Sequence, residues 1–471
     1  MQIALLIDFG STYTKVAAVD LDEARFLGRA QAPSTVDTDL TQGLTRALSL
    51  LRSSYDLRDD DITLKLASSS AAGGLRMAAV GHIGRLTAEA ATRAALGAGA
   101  KVVGVFERSL TSRLVRELEG TSPDIILLAG GVDQGNDDVI IHNAREIAAS
   151  KIRAPVVVAG NIAARDRVCE IFERAGQPTY ASSNVMPKIN ELDVEPAREM
   201  IREVFIQHIV RAKGLGQAEG YVSGGVIMPT PLAVLRMAEL LATGEDDEPG
   251  MGDTITMDIG GATTDVHSAC WGRPVDISLM GLEEPFAKRT VEGDLGLRVS
   301  ALSLLEVARS TQLPLHMATS LDNNEAWLRA DYLSTHTNAL PHTEAEWEMD
   351  VTMGSVAAYL AMTRHAGRLE FVSSRERTEA VQIGKDLRSV RTLVGTGGVF
   401  AFGARPDAIL SSCLFDPLDR FTLRPMNPKL YVDSDYIMYA GGLLATVYPE
   451  KALRIVKNSL HAVDVQQTST P

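Results

Sequence analysis

Two short stretches of this chain carry the residue types that phosphate chemistry needs. Thr254–Ser268, TITMDIGGATTDVHS, begins as an apolar strand with a carboxylate, Asp258, near its end. Gly260 and Gly261 follow, then the hydroxyls of Thr263 and Thr264 and a second carboxylate, Asp265. Glycines bring bare backbone N–H groups close to a ligand, hydroxyls add donors, and together they can wrap phosphate oxygens. A neighbouring Asp can hold a hydrated magnesium ion. An ordinary hairpin with a Gly-Gly turn would read the same way, but the pattern recurs. Ile3–Asp8 is another apolar strand ending in Asp, and Phe9-Gly10-Ser11-Thr12-Tyr13-Thr14-Lys15 repeats the glycine and hydroxyls and adds a lysine. Two such hairpins, roughly 250 residues apart, can face one another across a cleft and clamp a triphosphate. Neither matches GxxxxGK[ST], which excludes a P-loop. Neither places GxGxxG between a strand and a helix, which disfavours a dinucleotide fold.

The elements that must position these hairpins are α/β in character. The chain has 471 residues, is 45% hydrophobic and only 5% aromatic, and is rich in small aliphatic residues, as layered α/β domains are. Its net charge of −14 argues against non-specific nucleic-acid binding. Cys169, Cys270 and Cys413 are far apart, with no metal-ligand spacing, and read as structural thiols in a reducing cytoplasm. The N-terminus has no signal-peptide pattern, and no apolar run approaches the ~18 residues of a membrane span. Between the hairpins, patterning predicts a strand at 62–70, then helices and strands in regular alternation to about residue 183, a compact parallel α/β unit. Within it, Ala129–Asn136, AGGVDQGN, closes a strand and precedes a helix, where α/β sheets bind ligands. Such a loop can equally be a turn needing positive φ. Lys188 reads as a solvated loop lysine or an anion contact. A strand is expected at 274–280 and a disordered polar tail at 458–471. Gly395-Thr396-Gly397-Gly398 ends a further strand, and Tyr436–Ala445 reads as a helix with a small-residue face.

With these pieces placed, the chain resembles the superfamily of actin, sugar kinases and heat-shock chaperone ATPases. Asp8–Lys15 looks like its first phosphate motif, Asp258–Asp265 like the second, and Gly395–Gly398 like the adenosine motif. Pro229–Leu241 and Tyr439–Ala445 look like the two connecting helices that cross at its hinge. Within the superfamily the chain is similar to the glutamate mutase accessory proteins, the MutL type unrelated to mismatch repair. The similar segments are LLIDFGSTYTK, ILLAGGVDQGN, VMPKINELD, TMDIGGATTDVHS and TVEGDLGLR.

The resemblance implies an actin-like (ribonuclease H-like) ATPase fold with two α/β domains around a nucleotide cleft. The first half would comprise 1–60 and 186–245, with an α/β insertion at 61–185; the second half would be 251–457. It also implies ATP or ADP with Mg²⁺ held through water by Asp8 and Asp258. Gly10, Ser11, Thr12, Lys15, Gly260, Gly261, Thr263, Thr264, Gly395, Gly397 and Gly398 would bind the nucleotide. Asp265 joins Asp8 and Asp258 as a candidate catalytic carboxylate. The implied role is a cytoplasmic reactivating or assembly factor for a cobalamin-dependent mutase, without nucleic acid or membrane. A sugar-kinase-type activity and an actin-like scaffold remain alternatives. One departure bears on turnover: chaperone ATPases carry a Glu where this chain has Met228, so a slow ATPase is expected.

Overall fold

The computed structural model describes residues 1–10, 13–35, 40–55, 57–70, 75–81, 84–189, 191–210, 226–311, 313–314, 317, 321, 323–373 and 378–464. Ser11, Thr12, the Gly224-Gly225 turn and the end of the tail lie outside them. Strands β1 (Ile3–Phe9), β2 (Tyr13–Asp20), β3 (Arg25–Pro33) and β4 (Ile62–Ser69) come first. Then β5 (Leu75–Gly81), β6 (Ala100–Glu107), β7 (Ile125–Leu128), β8 (Val156–Val158) and β9 (Thr179–Ala181) alternate with helices, and β10 (Val226–Pro229) follows. A two-residue pair, β11 (Gly244–Glu245) and β12 (Glu248–Pro249), leads to β13 (Thr254–Ile259), β14 (Thr264–Ala269), β15 (Ser278–Leu279) and β16 (Ala287–Glu292). The last strands are β17 (Arg368–Ser373), β18 (Thr378–Ile383), β19 (Thr392–Thr396), β20 (Lys429–Asp433) and β21 (Leu460–Val463).

Two sheets repeat one plan. The first runs β10-β4-β1-β2-β3 and the second β16-β14-β13-β19-β20-β21. In each, three strands form an antiparallel meander, β1-β2-β3 or β13-β14-β16. Two more join in parallel beside the meander's first strand, β4 and β10 or β19 and β20. The apolar run IALLIDF forms β1 because it is covered on both faces. Ile3, Leu5, Ile7 and Phe9 pack with Leu44, Ala47 and Leu51 of the helix Leu40–Ser54. Ala4 and Leu6 turn the other way, into a layer that also holds Val234, Met237, Leu443, Val456 and, from the second sheet, Val394. The two halves therefore share a layer of helices, and Asp8 lies on the strand face turned towards it.

That layer is a helix crossing. The helix Thr230–Thr243 starts on Pro231 at its first turn and meets the helix Met438–Leu444. A Cβ on Gly442 would lie 1.8 Å from the carbonyl oxygen of Ala233, and one on Gly441 would lie 2.6 Å from the sulfur of Met237. Only glycine permits this approach.

The unit between the hairpins is a separate, wholly parallel sheet of order β6-β5-β7-β8-β9. It starts later than the expected residue 61. Ile62–Ser69 belongs to the first sheet, between β1 and β10, and the parallel sheet begins at β5, which patterning did not predict. The expected strand at 274–280 is reduced to the two residues of β15. The expected disordered tail is partly ordered: Leu460–Val463 closes the edge of β20, with Leu460 and Val463 packed on the core. No helix among the described residues is long and apolar enough to cross a membrane.

The crossing gives a direct prediction. Gly442→Ala should lower unfolding free energy by roughly 1–3 kcal/mol, the usual cost of overpacking. Gly120→Ala, at a helix end where a Cβ meets nothing within 4 Å, should leave it unchanged. Urea unfolding of both variants decides this; equal midpoints would mean that the helices do not approach as described.

Candidate functional site

The two hairpins share one backbone. The amide of Gly10 donates to the Tyr13 carbonyl at 3.1 Å, and that of Gly260 to the Thr263 carbonyl at 2.9 Å. Register pairs Asp8 with Lys15 and Asp258 with Asp265. The position opposite the strand-end carboxylate is thus an ammonium in one half and a second carboxylate in the other. At Gly10 the turn is tight, since a Cβ would lie 2.4 Å from the Tyr13 oxygen.

Asp8 is fully buried and held from two sides. Lys15 Nζ donates to Oδ2 at 3.0 Å, and Thr230 Oγ1, at the start of the first crossing helix, donates to Oδ1 at 2.6 Å. Ser68 lies 3.2 Å from that hydroxyl. Lys15 also donates to the Tyr436 hydroxyl at 3.2 Å and sits 4.4 Å from that ring's centroid. Burial alone would lower the Lys15 pKa; the fields of Tyr436, Asp8 and Tyr439 overturn this and hold it above the ordinary lysine value.

On the other wall, Asp265 is engaged by protein. Arg289 Nε donates to its Oδ1 at 2.7 Å, and Thr263 Oγ1 donates to its Oδ2 at 3.0 Å. Thr264 Oγ1 donates to the Leu295 carbonyl at 2.7 Å. The carbonyls of Gly260 and Gly261 accept from Leu297 and Arg298 at 3.1 and 2.8 Å, which braces the turn from below. The third motif stands beside this hairpin. β19 runs parallel to β13 with Gly395 opposite Met257 and Thr396 opposite Asp258. Gly397 has φ 105°, and a Cβ there would lie 2.3 Å from the Ile259 oxygen and 3.1 Å from Asp258 Oδ1. Gly395 lies close against the Phe400 ring, while a Cβ on Gly398 would meet open space.

Asp258 is the electrostatic centre of this wall. Its pKa is pushed up to about 7, first by burial, then by Asp265, with Asp433 and Asp8 adding to it and Lys15 opposing. Asp433 accepts from Thr396 Oγ1 at 2.8 Å and from the amides of Ile437 and Met438, both at 2.9 Å, so it anchors the start of the second crossing helix. Among the described residues no three carboxylates, imidazoles or thiols converge tightly enough to ligate a metal ion directly.

The structure thus places Asp8, Gly10, Lys15, Asp258, Gly260, Gly261, Thr263, Thr264, Asp265, Gly395, Gly397 and Gly398 on the two hairpins and the β19 end beside the second, with Asp8 and Lys15 close enough for their charges to act on Asp258. Sequence reasoning missed Thr230, Arg289, Asp433 and Tyr436. Thr230 had a signal, a Pro-Thr pair opening a helix; Tyr436 heads the expected helix, which in fact starts at Met438, and Arg289 and Asp433 carry none. Met228 lies fully buried in the shared apolar layer. Lys188 forms a surface ion pair with Glu191 at 3.1 Å.

The Ala129–Asn136 loop is wired by its own neighbours. Asn161 Oδ1 accepts from Gln134 N, and Asn161 Nδ2 donates to the Gly135 carbonyl, each at 3.0 Å. Asn184 Nδ2 donates to the Gly131 carbonyl and to Asp133 Oδ1, each at 2.9 Å. Gly130 and Gly131 have φ 138° and 75°. The result is a braced loop that presents Gln134, Gly135 and Asn136 to solvent.

Duplicated sheets of this order, each carrying a Gly hairpin that follows a strand-end Asp, joined through crossing helices, define the two-domain actin-like ATPase fold. The chain belongs to the MutL family: residues 4–460 match the family described as "MutL protein". It is 47% identical over 462 residues to Protein MutL of Clostridium tetanomorphum, covering 98% of this chain and 99% of that one. Among solved structures it is similar to an acetone carboxylase in its nucleotide-free form (TM-score 0.41, 15% identity, 94% of this chain and 70% of that one). It is also similar to a glycerol dehydratase reactivase (TM-score 0.34, 10% identity, 94% and 99%).

Asp258 makes stability depend on pH. Its folded pKa of about 7 lies above that of an unfolded carboxylate, so the folded state favours the protonated form. The penalty is absent below about pH 4, grows as pH rises, and is complete above about pH 7. Asp258→Asn should therefore raise Tm relative to the parent increasingly from pH 4 to pH 7 and not at all at lower pH. A Tm difference that is flat across that range would show that Asp258 is an ordinary exposed carboxylate.

Proposed function

We propose that this chain is an ATP-binding accessory protein that reactivates or assembles a cobalamin-dependent mutase through nucleotide-driven domain closure. One observation carries the nucleotide part: two carboxylates on equivalent hairpins of opposite halves, Asp8 and Asp258, both feel the same lysine, Lys15. A magnesium ion suits this wall because Asp258 stands among carboxylates that raise its pKa, and a cation relieves that crowding. Magnesium keeps most of its water and takes one or two carboxylates together with phosphate oxygens, which matches a site with no tight ligand cluster. Asp8 and Asp258 would hold it through water. Gly10, Ser11, Thr12, Gly260 and Gly261 would meet the phosphates, and Lys15 would neutralise them. Thr263 and Thr264 would donate only after leaving Asp265 and Leu295. The Gly395–Gly398 turn, with open space over Gly398, would take the base and ribose. Asp265, paired with Arg289, would position its hairpin.

The expected turnover is slow. Met228 is buried among apolar side chains where chaperone ATPases place a carboxylate, so nothing there orients an attacking water. Support for the partner comes from family membership. Within the chain, the braced Ala129–Asn136 loop offers a rigid, exposed contact on a unit that holds none of the nucleotide motifs.

Calorimetry with Mg²⁺-ATP and Mg²⁺-ADP tests the first part. Binding at about 100 times Kd should raise unfolding free energy by roughly 2.7 kcal/mol, and Asp258→Ala should weaken the magnesium-dependent share. Basal hydrolysis should fall below the ~1–100 s⁻¹ of kinases. Absence of binding with both nucleotides refutes the reading. A reactivation assay tests the second part, using a turnover-inactivated mutase supplied with ATP, Mg²⁺ and fresh cofactor. Recovery only with this protein supports the function. Full recovery when Ala129–Asn136 is replaced by a neutral linker would move the docking site elsewhere.

A further inference from the structure

The cations of the first half are covered by aromatic rings of the second. Lys15 Nζ has three hydrogens; Asp8 Oδ2 takes one at 3.0 Å and the Tyr436 hydroxyl another at 3.2 Å. The same ammonium lies 4.4 Å from the Tyr436 ring centroid and 5.7 Å from that of Tyr439. Nearer the rim, the Arg29 guanidinium lies 4.7 Å from the ring of Phe402, which is half exposed, and 5.9 Å from that of Tyr436. Lys15 and Arg29 sit on paired positions of β2 and β3 that share one sheet face, opposite Gln31 and Ala17 respectively. Phe402 and Tyr436 come from two different loops of the second half, one just past the Gly395–Gly398 turn and one just before the second crossing helix.

Tyr436 is also held in an unusual backbone. Its φ is 54°, the left-handed region that a bulky aromatic residue seldom adopts. Its amide donates to the Asp433 carbonyl at 3.0 Å, and the next two amides are bound by the Asp433 carboxylate, so the strained residue is locked by the helix start. Strain of this kind persists where the surroundings over-determine it, and it clusters at ligand clamps and switches.

We propose that Tyr436 is a stand-in for phosphate: its hydroxyl occupies a hydrogen of Lys15 that the terminal phosphate of a nucleotide takes in its place. The inference rests on the nucleotide reading of the site: the Tyr436 and Tyr439 rings cover the rest of the ammonium, so phosphate reaches it by displacing the Tyr436 hydroxyl. An anionic oxygen outcompetes a neutral phenol for an ammonium. Exchange therefore releases the Tyr436 hydroxyl from Lys15, while Tyr439 still holds the second crossing helix against β1. Adenosine, which has no phosphate, leaves the contact intact.

The test uses the full chain and its Tyr436→Phe variant, titrated calorimetrically with ATP, inorganic tripolyphosphate and adenosine in the presence of Mg²⁺. Phenylalanine keeps the ring over Lys15 and removes only the competing hydroxyl. ATP and tripolyphosphate should bind about three- to tenfold tighter to the variant, the scale of one net hydrogen bond. Adenosine should bind both proteins equally. In a Lys15→Met background, Tyr436→Phe should no longer change tripolyphosphate affinity. Unchanged or weaker phosphate binding in the variant overturns the inference while leaving the nucleotide site standing. So does a gain as large for adenosine as for ATP. Failure of the parent chain to bind ATP and tripolyphosphate overturns the nucleotide reading and this inference together.

Discussion

A carboxylate with no access to water governs the architecture around the cleft. Burying Asp8 is costly unless its oxygens are matched by charge and hydrogen bonds. The partners come from separate places: Lys15 from the same hairpin and Thr230 from the first residue of a crossing helix. Lys15 in turn reaches Tyr436, just before the other crossing helix. One buried charge thus fixes the hairpin to the starts of both helices that join the halves. The glycines of the crossing act on the same layer from the other end. Gly441 and Gly442 let the helices lie close enough for Thr230 and Tyr436 to reach one strand end.

The duplication holds for five strands of each sheet, to which the second adds β21, and is broken in charge. Both halves carry the same strand order and the same turn hydrogen bond, yet Lys15 in one is replaced by Asp265 in the other. Only the first hairpin neutralises its strand-end carboxylate within itself. In the second, Arg289 is spent on Asp265, and Asp258 is left with carboxylate neighbours. The first hairpin is therefore charge-balanced, while the second carries a carboxylate whose pKa is raised by its surroundings.

The parts legible in the sequence were those written in local pattern. Strands ending in Asp-Gly, small residues on a helix face and a Pro at a helix start each have a local cause, and the hairpins and crossing helices fell where expected. What pattern could not place was pairing at long range. Ile62–Ser69 reads as a strand either way, and only its hydrogen bonds to β1 assign it to the first sheet rather than the insertion. Leu460–Val463 looks like a polar tail until β20 is there to receive it. Among the site residues, Arg289 and Tyr436 act from 24 and 421 positions away from their partners, a reach that no local pattern encodes. The hydroxyls of Thr263 and Thr264 were legible as donors, but their present acceptors were not.

The insertion shares a hydrophobic core with the first half, through Leu75, Met77, Ala90 and Ala94 beside Ile3, Leu5 and Leu44, and also touches the second half. Its helix Gly84–Gly97 packs against β16, and Arg93 on that helix donates to the Leu282 carbonyl at 3.2 Å and pairs with Glu284 at 3.6 Å. Arg289, which neutralises Asp265 in the second hairpin, also donates to the Ala100 carbonyl at the start of β6 at 3.0 Å. Breaking a buried charge pair by removing one partner costs about 3–5 kcal/mol, so Arg289 stays with Asp265 in any motion that leaves the second hairpin intact. Because the insertion shares its core with the first half, any separation of the two halves would shear Ala100 away from Arg289. A cavity of about 580 Å³ at this junction, lined by Leu96, Gly97, Arg198, Met280 and Leu282 among others, gives the packed helix room to shift.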